Sequence, residues 1–173
     1  MKSRNLLIVV LISLTGGCAA PSLVNFPFDP GGRSLNSPYG EMNPHITGQY
    51  IAFVSDRRGS QDIYLYDTAV RNLIPLPGLN SLDMVSSDPS VSENGRFITF
   101  NGNRQGRTDI YVYDRNTRQL RNLTENLKTA VRNPAITADG NMIAFEASIN
   151  GQWDILLYNR FGQPVTGLPN SQP

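Results

Sequence analysis

Apolar, turn-forming and acidic positions recur three times along the chain in one fixed order. In each unit a Phe is followed six residues later by a Gly and three residues after that by an Asp. An apolar run follows the Asp, and the unit ends on a Leu 23 residues after its Phe. The repeated positions are Phe53, Gly59, Asp62; Phe100, Gly106, Asp109; and Phe145, Gly151, Asp154. Constant spacing of this kind is typical of an architecture built from repeated supersecondary units.

Each unit contains signals for four short strands. Asx-Pro pairs 45 residues apart open the units, at Asn43, Asp88 and Asn133, and the first strand is expected to follow each Pro. The second strand ends at the Phe, the third starts at the Asp, and the fourth contains the final Leu-x-x-Leu. The third strand is apolar at successive positions, as in residues 63–66 (IYLY), so we expect it to be buried on both faces.

Strands buried on both faces favour a β-propeller over a two-sheet sandwich, in which each strand buries one face. The period of 45 residues lies in the range of propeller blades, about 40 to 50. The fold class predicted is therefore all-β, with three four-stranded antiparallel blades. The residue pattern of 50–57 (YIAFVSDR), the Asp-Ile-Tyr segments and Leu123-Thr124 resembles the repeats of the TolB family. That resemblance covers residues 43 to 168 and implies a propeller, but it is a weak guide to activity.

Three blades are too few for an ordinary closed ring, since propellers typically have about four to eight. The TolB family has an additional N-terminal domain and about twice as many blades. An open wedge would expose the flat faces of its first and last blades. The simplest hypothesis is a head-to-tail homodimer with six blades. The alternatives are a wedge that stays open, a wedge that pairs with another protein, or a degenerate piece of a larger propeller.

The N-terminal 17 residues have the layout of an export signal. Two cations precede an apolar run of about nine residues, which is too short to span a bilayer. Cys18 follows Gly16-Gly17, as in the lipobox of bacterial lipoproteins, although Thr15 stands where that motif usually has an aliphatic residue. The expected organisation is a signal (1–17), a lipidated Cys18 and tether (18–41), a propeller domain (42–168) and a tail (169–173). The alternative is an ordinary cleaved signal with an incidental Cys.

Charge and composition exclude several functions. The formal net charge is +1, which excludes a strongly basic nucleic-acid binder. One Cys and one His exclude an internal disulfide and a multi-His zinc site, and no cofactor or metal is expected. Ala19 after the Cys, by analogy with bacterial lipoprotein sorting, favours the outer membrane. The expected location is thus periplasmic, with membrane attachment through the lipid.

The candidate binding residues fall into two groups. The first would line the mouth of the channel: Asn43, His45, Asp88 and Asn133. The second lies between the second and third strands: Arg57, Arg58, Arg104 and Arg107. The structural alternatives are initiation of an Asx-Pro turn for the first group, a hydrogen-bonded His for His45 and solvated hairpin tips for the arginines. Asp62, Asp109 and Asp154 recur in every unit, so we expect them to cap turns rather than to form a site.

Two functional hypotheses follow. The first is a non-catalytic, lipid-anchored module that binds a protein or a cell-wall component of the bacterial envelope. The resemblance to TolB implies a peptidoglycan-associated lipoprotein or another Tol component as its partner. The second is a polysaccharide-cleaving propeller, which would need titratable groups in the channel. No catalytic motif is recognised in the sequence, which favours the first hypothesis.

Overall fold

Eleven β-strands make up the ordered elements of residues 31–165, the part of the chain that the computed structural model describes. They form three antiparallel sheets, which are the three predicted blades. Blade 1 contains β1 (Glu41–Thr47), β2 (Tyr50–Ser55), β3 (Asp62–Asp67) and β4 (Asn72–Ile74). Blade 2 contains β5 (Val85–Val91), β6 (Phe97–Arg104), β7 (Arg107–Asp114) and β8 (Gln119–Asn122). Blade 3 contains β9 (Val131–Ile136), β10 (Met142–Ile149) and β11 (Gln152–Asn159).

The prediction of four strands per unit holds for blades 1 and 2, whose strands pair in sequence order. Within the described residues blade 3 has three strands, and an isolated antiparallel bridge joins Tyr158 to Pro164 beside β11. This bridge is at the position of the fourth strand. The predicted end of that strand at Leu168 lies outside the described residues.

The placement of the Asx-Pro pairs was wrong, because the first strand of each blade runs through its pair instead of starting after it. Asn43, Asp88 and Asn133 have φ values of 49°, 48° and 52°, and the strand register shifts at each of them. Pro has no N–H to donate to a ladder, so the pair leaves the pairing as a β-bulge and pairing resumes beyond it. Asn and Asp tolerate the left-handed conformation better than most residues do.

The core lies between consecutive blades. In β7, Tyr111 and Tyr113 pack in the apolar cluster shared with blade 1, whereas Ile110 and Val112 pack in the cluster shared with blade 3. All four side chains are buried. The prediction that the third strand is buried on both faces is therefore confirmed for β7, which has a blade on each side, and β3 is also mostly buried. It is wrong for β11, whose residues are half-buried or exposed because no further blade covers its outer face within the described structure.

Glycine turns interlock neighbouring blades. The turn after the first strand of blade 2 contains Gly95, and a Cβ there would lie 2.8 Å from the ring of Tyr50 in blade 1. The corresponding Gly140 of blade 3 would place a Cβ 2.4 Å from Cδ2 of Phe97 in blade 2. Both glycines also have positive φ. These two positions therefore need Gly both for the turn and for the close approach of an aromatic ring.

Residues 31–40, part of the predicted tether, pack against blade 1. Arg57 donates hydrogen bonds to the carbonyl oxygens of Gly32, Ser34 and Leu35 at 2.9–3.2 Å. Counted back from the Asx-Pro pair, this segment corresponds to residues 76–85, which connect blades 1 and 2. It thus takes the path of an inter-blade connection. Within residues 31–165, no helix is long and apolar enough to cross a membrane.

Candidate functional site

The first strands of the three blades lie side by side at the inner edge of the wedge. Each is an edge strand of its own sheet, and β5 contacts both β1 and β9. Hydrogen bonds between blades join them: the backbone N–H of Val91 donates to Nδ1 of His45 at 3.2 Å, and that of Ile136 donates to Oγ of Ser90 at 3.2 Å. In a propeller this edge faces the central axis, which is where the sequence placed its channel-mouth residues.

The bulges at the start of these strands carry a connected set of polar side chains. Nδ2 of Asn43 donates to Oδ1 of Asp88 across the gap between blades at 2.7 Å. Oδ2 of Asp88 accepts hydrogen bonds from Nδ2 of Asn101 and from Oγ of Ser87, both at 2.8 Å. The structure therefore brings two of the predicted channel residues, Asn43 and Asp88, into direct contact.

The third bulge has a different partner. Nδ2 of Asn133 donates to Oε1 of Glu146 at 2.9 Å, and Nε of Arg132 lies 2.6 Å from Oε2 of the same carboxylate. The hydrogen bond from Asn133, followed by that from Arg132, lowers the pKa of Glu146. Arg132 also stacks over the ring of Trp153, 3.9 Å from its centroid. The sequence analysis missed Glu146, although a carboxylate where unit 1 has Val54 departs from the repeat and is a signal that could have been used.

His45 joins the first two inner strands rather than standing alone. Its Nδ1 accepts the N–H of Val91, which requires a neutral ring with the proton on Nε2. Nε2 lies 3.4 Å from Oγ of Ser90. Burial lowers the pKa of His45, which also favours the neutral form. The structural alternative, a hydrogen-bonded His, therefore describes the geometry of this residue.

The expectation of a solvated position at a hairpin tip is wrong for Arg57. Its side chain is only 5% exposed, pairs with Glu41 at 2.8 Å and lies over the rings of Phe53 and Tyr64. Arg57 is thus a structural clamp between the N-terminal segment and blade 1. Arg58, next to it, is exposed.

Two further predicted arginines hold the connections between blades. Arg104 lies 3.4 Å from a carboxylate oxygen of Asp83 and donates to Oγ of Ser81 at 3.2 Å. Arg107 donates to Asp109 at 2.9 Å and to the carbonyl oxygen of Glu125 at 2.9 Å. Their side chains are 39% and 50% exposed, so they can also meet a ligand, but their contacts tie each connection to its blade.

The repeated aspartates accept hydrogen bonds from side chains and not from the backbone N–H groups of a turn, which was the expected form of the cap. Asp62 accepts from Oγ of Ser60, and Asp109 accepts from Oγ1 of Thr124 at 2.9 Å. Asp154 accepts from Nε2 of Gln152 at 3.3 Å. Burial raises the pKa of Asp62, against the smaller opposing effects of Ser60 and Arg58. Among the described residues there is no group of three His, Cys, Asp or Glu side chains that could hold a metal ion.

A cleft of about 650 Å³ adjoins blade 1, between the N-terminal segment and the outer strands. Arg57 and Arg58 contribute to its wall, together with Tyr39 and Tyr64. The hydroxyl of Tyr64 is buried and makes no hydrogen bond within the described structure. The bulge residues Asn43, Asp88 and Asn133 do not line this cleft, and neither do Arg104 and Arg107. The proposed lipidation site, Cys18, lies outside the described residues.

Comparison with solved structures identifies the type of blade. TolB from Acinetobacter baumannii superposes with a TM-score of 0.60 at 26% identity, over 76% of this chain and 32% of TolB. A TolB candidate from Agrobacterium tumefaciens gives 0.54 at 22% identity, over 69% and 43% of the two chains. The β-propeller domain of the trilobed protease of Pyrococcus furiosus gives 0.54 at 14% identity, over 75% and 42%. The three blades are therefore TolB-like propeller blades, and the chain spans about a third of the length of the A. baumannii protein.

Other solved neighbours share the fold alone. They include acylaminoacyl peptidases at 15–16% identity and a chain of the nidogen/laminin complex at 10%. No family model matches the sequence, and no curated protein matches it. Peptidases and a protein complex thus appear side by side among the neighbours, so the fold by itself does not select between catalysis and binding.

Proposed function

We propose that the chain is a non-catalytic binding module of the bacterial envelope, exported and held at the outer membrane by a lipid on Cys18, which recognises a protein through the inner strands of its blades. The observation that carries the proposal is the pair of hydrogen-bonded polar groups at the bulges of the inner strands: Asn43 with Asp88 on β1 and β5, and Asn133 with Glu146 on β9 and β10. These polar groups lie on TolB-like propeller blades. The same fold also occurs in a chain of the nidogen/laminin complex, so it is compatible with binding a protein.

The chemistry of this surface suits a peptide. Asn43 and Asn133 are exposed, and their amide groups can both donate and accept hydrogen bonds, as a peptide backbone does. Asp88 and Glu146 hold the two amides in place through hydrogen bonds of 2.7 and 2.9 Å. Side chains that are already oriented lose less conformational entropy when a ligand binds.

The binding proposal can be tested by cross-linking in the bacterium that encodes the chain. A photoreactive residue replaces Asn133 on the proposed surface or Val70, an exposed residue in the β3–β4 turn, as the control. We expect adducts with an envelope protein from position 133 and none from position 70. Adducts with peptidoglycan alone would replace the protein partner by a cell-wall component. Equal adducts from both positions, or none from position 133, would overturn the proposal.

The anchor requires a separate test, because binding and lipidation are independent. Cells are labelled with a radioactive fatty acid and separated into envelope fractions. We expect label on the wild-type chain in the outer membrane and its complete loss in Cys18→Ser. An unlabelled wild-type chain recovered outside the cytoplasm would show an ordinary cleaved signal instead.

A further inference from the structure

The two ends of the wedge expose positions that the interior of the same wedge buries. Ile63 and Ile110 follow the repeated Asp in blades 1 and 2, and each is covered by the next blade, with exposed fractions of 1% and 0%. The corresponding residue of blade 3, Ile155, is 70% exposed. Met142, which corresponds to the buried Phe97, is 38% exposed on the same blade. Blade 3 thus has the surface that, elsewhere in this chain, receives another blade.

Blade 1 shows the complementary pattern at the other end. Met84 and Val91 of blade 2 pack against blade 1, and each is 1% exposed. Their counterparts 45 residues earlier, Tyr39 and Ile46, are 55% and 65% exposed. Blade 1 therefore has the surface that, elsewhere in this chain, packs against the preceding blade.

We propose that a second copy of this chain covers both surfaces, so that blade 3 of each copy packs on blade 1 of the other. The two ends are the two halves of a single kind of contact, which the chain already makes twice internally. Two copies related by a two-fold axis form two identical contacts of this kind and close the wedge into six blades. This inference concerns the assembly alone and does not depend on the envelope partner or on the lipid.

The internal contacts indicate how the copies meet. The ring of Tyr50 lies over Gly95, and the ring of Phe97 lies over Gly140, at each junction between blades. Met142 occupies the corresponding position of blade 3, and the β1–β2 turn is the corresponding turn of blade 1. The contact between copies therefore places Met142 of one copy beside the β1–β2 turn of the other, with Ile155 and Ile46 within the same apolar surface.

Two substitutions test the arrangement, one on each end. Ile155→Asp and Ile46→Asp replace exposed residues, so each variant is expected to fold like the wild type, which circular dichroism checks. Val70→Asp, at a residue 68% exposed in a turn, is the matched control. The mass of the full chain is measured by sedimentation equilibrium in density-matched detergent. The wild type and the control are expected to have twice the mass of a single chain, which mass spectrometry of the same preparation gives.

Each end variant by itself is expected to dissociate at least tenfold more readily, because both of its contacts then contain a buried carboxylate. An equimolar mixture of the two variants should regain dimers. In a mixed dimer, both substitutions fall in one contact and the other contact is wild type. This recovery is specific to a head-to-tail arrangement.

Three results would overturn the proposal. A wild-type chain that is monomeric at all concentrations shows that no second copy covers the ends. Loss of the dimer in Ile155→Asp but not in Ile46→Asp shows a symmetrical contact between two third blades. Failure of the mixture to associate, while each variant remains folded, shows that the two ends do not meet each other.

Discussion

Replacing Gly140 by Ala tests whether the packing of a turn glycine under an aromatic ring holds two blades together. Gly140 has a φ of 73°, and an added Cβ would lie 2.4 Å from Cδ2 of Phe97 in the preceding blade. Gly106 is the matched control, since its φ is 81° and an added Cβ would meet nothing within 4 Å. Both substitutions force Ala into the left-handed region, but only one of them pushes against a neighbouring blade.

The two costs can be separated. The left-handed conformation costs an L-residue about 1–2 kcal/mol, and this cost applies to both variants. Forcing an extra carbon into a packed core costs about 1–3 kcal/mol more. This cost applies to Gly140→Ala alone, because the ring of Phe97 is buried and Phe97 lies in strand β6. We therefore expect Gly106→Ala to lower the free energy of unfolding by about 1–2 kcal/mol and Gly140→Ala by about 2–5 kcal/mol.

Urea unfolding followed by circular dichroism measures both values, with the same protein concentration for each variant so that association contributes equally. The difference between the variants is the quantity of interest. Equal losses of stability in the two variants would refute the account, because they would show that the contact between Gly140 and Phe97 contributes nothing beyond the backbone strain.

Two further predictions concern Arg57 and His45. Arg57→Met should lower the free energy of unfolding by about 3 kcal/mol, because it leaves Glu41 and three carbonyl groups without their partner. The control Arg58→Met should change the free energy of unfolding by less than about 0.5 kcal/mol, and equal effects of the two variants in urea unfolding would contradict the structural role of Arg57. Burial lowers the pKa of His45, so the unfolded chain binds the proton more tightly and the free energy of unfolding should fall as the pH drops below about 6.5. That contribution should be absent in His45→Gln, and a pH profile of urea unfolding unchanged by the substitution would contradict the account.

The fold could be predicted to the level of the blade because the same pattern of apolar and turn-forming residues is repeated three times. A third strand that is apolar at successive positions has to be buried on both faces, and the constant spacing sets the period. The bulges were missed because Asx-Pro is also a common turn signal. Only the strand pairing before and after Asn43 and Asp88 in the structure shows that the ladder continues beyond the Pro.

The candidate site could be predicted in part. The inner position of Asn43 and Asp88 followed from their place at the head of each unit, but their direct contact depends on two blades lying side by side. Arg57 shows the limit of the approach more clearly. A charged residue beside a Gly turn is usually solvated, and its burial here depends on segment 31–40 supplying three carbonyl oxygens, which no local pattern encodes.

The central claim is that the exposed end of blade 3 is covered by a second copy, and a fluorescent residue lies two positions before Ile155 on the same strand. Trp153, the one Trp of the sequence, is 42% exposed on blade 3 beside Arg132. Its fluorescence emission can be recorded as the full chain is diluted. The account predicts a blue-shifted emission at high concentration that moves to the red on dilution, with Ile46→Asp red-shifted throughout. An emission maximum that stays constant on dilution and is identical in Ile46→Asp would contradict it.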